Sequence, residues 1–147
     1  MTIEQVIQIL AGFVGSAGFG ILFNIRGKRL FFAALGGLLS WSLFVLFGNF
    51  IASEPVNYFF VSFLTSLYAE AFARVLKTPT TTFITTALIP LIPGGSLYYT
   101  MSYAFGGDLN GFIQKAIYTL QLASALALGI IIATTVVKIF HNKEKKS

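Results

Sequence analysis

Positions 30–53 contain no charged side chain, and the same is true of 5–25, 78–107 and 116–137. Crossing about 30 Å of hydrocarbon takes roughly 20 consecutive apolar residues, so a chain in which such runs recur is confined to very few folds. A soluble domain must coat itself with polar groups. Ten Lys or Arg and five Asp or Glu, in 147 residues that are 56% hydrophobic, cannot supply that coat. In lipid each segment must satisfy its own backbone N–H and C=O groups, and a helix does so internally. The pattern predicts an all-α integral membrane protein with five transmembrane helices.

The charges mark where the helices end. They predict spans at about 3–25, 30–51, 57–76, 82–105 and 112–140 in a single transmembrane domain covering 1–147, with a basic cytoplasmic tail over 141–147. With the N-terminus outside, nine of the ten basic residues face the cytoplasm: Arg26, Lys28, Arg29, Arg74, Lys77, Lys138, Lys143, Lys145 and Lys146. Only Lys115 stays outside, beside Glu4, Glu54 and Asp108. A bias of this kind sets topology and puts the C-terminus in the cytoplasm. It also accounts for the net charge of +5 without nucleic acid, the basic residues acting as stop signals and as contacts to anionic lipids at the cytoplasmic face. The start MTIEQVIQ carries an acid and no basic n-region, unlike a cleaved signal peptide.

Several classes of chemistry have no residues to perform them. Without Cys there is no disulfide, thiolate metal site or Cys nucleophile, and His141, the only His, lies in the tail. Gly27-Lys28 lacks the glycine spacing of a phosphate-binding loop. No metal, cofactor or enzymatic role is expected, and transport would draw on a gradient or on another chain.

Small residues recur four apart: Gly12, Ser16 and Gly20; Ala33 with Gly37 and Gly36 with Ser40; Ala125, Gly129 and Ala133. Such strips let helix backbones approach closely in lipid, within this chain or against another subunit. The sixteen Phe residues read mainly as lipid-facing filler and Trp41 as packing. In the third span Tyr58, Ser62, Ser66, Glu70 and Arg74 lie four apart and form one polar face. That face must meet protein or water, because charge is costly in lipid. Glu70 and Arg74 form either a structural ion pair or part of a polar path with a protonatable, coupling acid.

The fourth span breaks itself, in the segment IPLIPGGS at 89–96. Pro90 cannot donate to the Thr86 carbonyl, nor Pro93 to that of Ile89, while Gly94 and Gly95 let the backbone turn. About eleven residues into the span, at 1.5 Å each, the break falls roughly 16 Å deep, near the midplane. A broken helix offers free carbonyls from one half and free N–H groups from the other. The expected binding or gating site comprises Pro90, Pro93, Gly94, Gly95, Ser96, Tyr99 and Thr100, and a plain proline kink is the alternative.

FGILFN at 19–24, GGLLSW at 36–41, AEAFARVLKTP at 69–79 and IPLIPGGSLYYTM at 89–101 resemble, in this order, the threonine/serine exporter family. The likeness is to its small five-helix half, found fused as the C-terminal part of a long chain or as a separate small subunit. It covers about residues 19–105. The Arg-x-x-Lys-x-Pro run followed by PLIPGG is its most specific part, and the first and last helices match in hydropathy alone. The resemblance implies multi-pass placement in a bacterial inner membrane and export of a small-molecule substrate: threonine and serine in the fused form, succinate in a split form. It also implies a larger membrane subunit as partner. Two other functions fit the residues, a homo-oligomeric channel lined by the Ser62–Glu70 face and an assembly subunit that does not itself transport.

Overall fold

The computed structural model describes residues 2–144, so the end of the tail, with Lys145 and Lys146, lies outside the described residues. All regular structure among them is helical: α1 (Ile3–Leu22), α2 (Lys28–Gly48), α3 (Glu54–Val75), α4 (Thr80–Leu88), a 3-10 turn (Ile89–Leu91), α5 (Gly94–Phe105) and α6 (Leu109–Glu144). Three segments are long and apolar enough to cross a membrane: α1, α2 and Leu109–Asn142 of α6. The 22-residue α3 is long enough, at roughly 1.5 Å per residue, but carries the polar face, and Thr80–Leu91 is apolar but short.

α2, α3, α4 and α6 begin slightly before the expected spans, and α1, α2 and α3 end slightly short of them, because hydropathy marks the lipid boundary rather than the backbone. α3 starts at Glu54 with Ser53 as N-cap and Pro55 in its first turn, where the missing N–H costs nothing. α6 continues through the polar residues to Glu144, since no Gly or Pro interrupts it after Gly129. Its start is capped by Asp108, whose Oδ1 accepts the Gly111 N–H at 3.0 Å. The Arg-x-x-Lys-x-Pro run turns out to be the α3–α4 turn. Lys77 takes a left-handed φ of 49°, the Thr78 N–H reaches back to the Ala73 carbonyl at 2.9 Å, and Pro79 immediately precedes α4.

α1 pairs with α2 and α3 with α6, while α4 packs against α2, α3 and α1; α5 makes its substantial contacts with α6 alone. The small-residue strips make these pairings, so they serve packing within the chain. Gly12, Ser16 and Gly20 are buried on α1, as are Ala33, Gly36, Gly37 and Ser40 on α2. Gly37 faces Ser16 and the Gly12 carbonyl, Gly36 faces Ala87 of α4 and Tyr68 of α3, and Gly129 faces Ser62 and the α3 backbone. Two apolar clusters complete the core. One joins Ile25, Ala33, Ala69, Ala73 and Phe83, and the other joins Tyr58, Val61, Leu88, Leu91 and Leu122.

Candidate functional site

The break forms where proline chemistry places it. α4 stops at Leu88, the 3-10 turn holds Pro90, and α5 starts directly after Pro93. The carbonyls expected to be free are not. Ser16 Oγ donates to the Thr86 carbonyl at 2.8 Å, and the Ile92 N–H donates to the Ile89 carbonyl at 3.2 Å. An unpaired carbonyl in a dry interior costs about 1–3 kcal/mol, and here a serine of the α1 strip and a tightened turn remove that cost. The Thr86 and Ile89 carbonyls therefore do not supply the cation-binding half of the expected site.

The other half is open. The Gly94 N–H turns back to the Ile92 carbonyl at 2.6 Å and the Leu97 N–H to that of Pro93 at 3.0 Å. Among the described residues no acceptor meets the N–H of Gly95 or of Ser96, and no side chain caps α5. Gly94 and Gly95 are exposed, and a Cβ at either would meet nothing within 4 Å.

Below this bare helix start lies a hydroxyl cluster. Ser96 Oγ is 2.7 Å from Thr119 Oγ1, and Thr100 Oγ1 is 3.1 Å from the same atom. Thr100 donates to the Ser96 carbonyl at 2.9 Å and Thr119 to the Lys115 carbonyl at 2.8 Å. With the Thr119 proton so used, Ser96 is the donor in the Ser96–Thr119 bond. Tyr99 is exposed, and the Lys115 ammonium stands 5.8 Å from its ring centre and 4.9 Å from that of Tyr118. The Tyr118 hydroxyl donates to the Glu54 carboxylate.

Sequence reasoning missed Lys115, Tyr118 and Thr119 as site residues. The signal available was their i, i+3, i+4 spacing on one helix face, together with the isolation of Lys115 from every other basic residue. On its other flank the break borders a groove of about 320 Å³ lined by Gln8, Ala11, Gly12, Gly15, Trp41, Ile89 and Pro90. Trp41 packs as expected, stacking on Phe44 at 5.1 Å, and also forms a wall of this groove.

The α3 polar face is turned into the protein. Tyr58, Ser62, Ser66 and Glu70 are buried, whereas the Arg74 side chain is 46% exposed. Ser62 Oγ donates to the Phe59 carbonyl at 3.0 Å, and Thr65 Oγ1 and Ser66 Oγ are buried without partners. Glu70 pairs with Arg74 at 3.5 Å and receives the Thr80 hydroxyl at 3.4 Å, at the first residue of α4. The break lies at the far end of the nine-residue α4, roughly 13 Å away at 1.5 Å per residue. Glu70 and Arg74 thus join α3 to α4, and the structure does not bring them to the Gly94–Thr100 residues.

A family model described as "Threonine/Serine exporter, ThrE" matches residues 8–136, a range that includes the break, the hydroxyl cluster and Lys115. No curated protein and no solved structure matches the chain.

Proposed function

The chain belongs to the threonine/serine exporter family, and from that premise we propose that it is one subunit of a gradient-driven exporter whose substrate site is the open start of α5. It is a membrane protein of transporter type. In the proposed arrangement five spans cross a bacterial inner membrane, with the N-terminus outside as the nine-to-one charge split favours. A reporter fused at residue 147 and active only in the periplasm would reverse that orientation.

One observation carries the reading. The N–H groups of Gly95 and Ser96 have no acceptor in the chain, yet they fall near the middle of an apolar segment. Lipid cannot accept a hydrogen bond, so a partner, water or a substrate must meet these donors, and a helix start favours an anion. A carboxylate fits, whether of a threonine- or serine-like amino acid or of a dicarboxylate such as succinate. The single-sided packing of α5 on α6 leaves Leu97, Tyr98, Tyr99 and Met101 uncovered beside the same donors, which supports a larger membrane subunit as the second wall. A pore between copies lined by Ser62–Glu70 is disfavoured, since those side chains are buried inside one chain.

Reconstitution in liposomes, alone and with a larger subunit of the same family, tests the proposal with labelled threonine and succinate. Flux that needs both chains supports it, and full flux from the larger chain alone overturns it. In the same assay Gly95→Ala separates a site from a kink. Helix propensity favours alanine by up to about 1 kcal/mol, and the added methyl meets nothing in this chain. Abundance is therefore expected to hold while flux falls about tenfold, the scale of one lost hydrogen bond. Normal flux at normal abundance would remove the break from the site.

A further inference from the structure

We infer that Lys115 is the outer receiving site for the substrate's carboxylate, an inference that rests on the exporter reading above. The ammonium is partly buried and sits between the faces of Tyr118 and Tyr99, at 4.9 and 5.8 Å. Ring faces stabilise a cation without neutralising it. No carboxylate pairs with it among the described residues. Glu54 accepts the Tyr118 hydroxyl, and Asp108 accepts the Gly111 N–H as the cap of α6. A partly buried cation left without a counter-charge in a membrane helix is costly unless an anion visits it.

The position of Lys115 gives that anion a route. One helical turn below the ammonium, Thr119 meets Ser96 and Thr100, and Ser96 also carries one of the two open N–H groups at the start of α5. Along the α5–α6 seam, open amides give way to hydroxyls and then to an ammonium, with no carboxylate among them. A carboxylate moving outward from the break finds stabilising groups throughout, and Lys115 is the last and the only charged one. Arg26, Lys28, Arg29, Arg74 and Lys77 lie at or beside the α1–α2 and α3–α4 turns, and Lys138 lies toward the far end of α6, so the placement of Lys115 is not part of that charge belt. The ligand class is a small carboxylate, and a substrate with net negative charge gains more than a zwitterion, whose ammonium Lys115 repels.

The test uses right-side-out vesicles containing the full complex, with external labelled succinate or threonine exchanging against the same compound inside. Lys115→Gln is expected to raise the external half-saturation concentration about tenfold, the scale of one charge-assisted hydrogen bond. The rise should be larger for succinate, with the maximal exchange rate and the internal half-saturation unchanged. Lys115→Arg, which keeps the charge, should recover most of the affinity. An unchanged external half-saturation overturns the inference while leaving the exporter reading intact, whereas absence of flux in the unsubstituted complex overturns that reading instead. Failure of both variants to reach the membrane would make Lys115 a structural residue and end the proposal. An effect seen in anionic liposomes but lost in pure phosphatidylcholine would assign the site to net-anionic lipid headgroups and end it equally.

Discussion

Gly129→Ala is expected to abolish accumulation of the folded chain. A Cβ built at Gly129 overlaps Ser62 Oγ outright and falls 2.6 Å from the Phe59 carbonyl oxygen and 3.0 Å from the Phe63 nitrogen. A side chain could rotate away, but backbone atoms of α3 cannot. The two helices would have to separate along a face that also holds Tyr58, Val61 and Leu122. Overpacking of this kind costs about 1–3 kcal/mol where neighbours adjust, and more is expected here because the obstruction is main chain. Ser62→Gly should not rescue the variant, since it leaves the Phe59 carbonyl in place. Membrane abundance and the detergent-solubilised Tm are the measurements, with Gly15→Ala as control, where a Cβ meets nothing within 4 Å. A Gly129→Ala protein with the Tm of the control would mean that α3 and α6 do not approach this closely.

Gly37→Ala is expected to be the next most damaging substitution, for two coupled reasons. Its Cβ overlaps the Ser16 side chain and lies 2.8 Å from the Gly12 carbonyl oxygen, so α1 must retreat from α2. As Ser16 moves, the Thr86 carbonyl loses the donor that replaces the N–H Pro90 lacks. Ser16→Ala removes only that hydrogen bond, at a cost of about 1–3 kcal/mol for the stranded acceptor. Gly37→Ala adds the steric term and should lower the Tm further. Because both act through Ser16, the double variant should fall short of the sum of the two singles. Additive losses would show that the hydrogen bond and the helix contact are independent.

Much of the architecture is legible one residue at a time. Proline has no N–H wherever it sits, so Pro90 and Pro93 stop α4 and place the break without reference to any neighbour. The charged turns at Arg26–Arg29 and Arg74–Lys77 separate the helices because lipid excludes charge whatever the helices later do. The strips through Gly12, Gly37 and Gly129 announce close approach because nothing larger would permit it.

What those residues meet is a different matter. Lipid is as apolar as leucine, so hydropathy does not say which helix pairs with which. The Thr86 carbonyl looked free in the sequence because its donor, Ser16, lies 70 positions away on α1. The α3 polar face could have met water or protein, and packing against α6 and α4 turns Ser62, Ser66 and Glu70 inward. Lys115 read as the odd charge in a topology count, until the fold set it over Tyr99 and Tyr118 beside a hydroxyl cluster. The sequence by itself determined that the chain belongs in a membrane and where its fourth helix must break, since both follow from local solvation and backbone chemistry. Only the tertiary structure decided that the break leaves the Gly95 and Ser96 amides open while Ser16 of α1 fills the Thr86 carbonyl, because hydrogen bonds between helices depend on which faces come together.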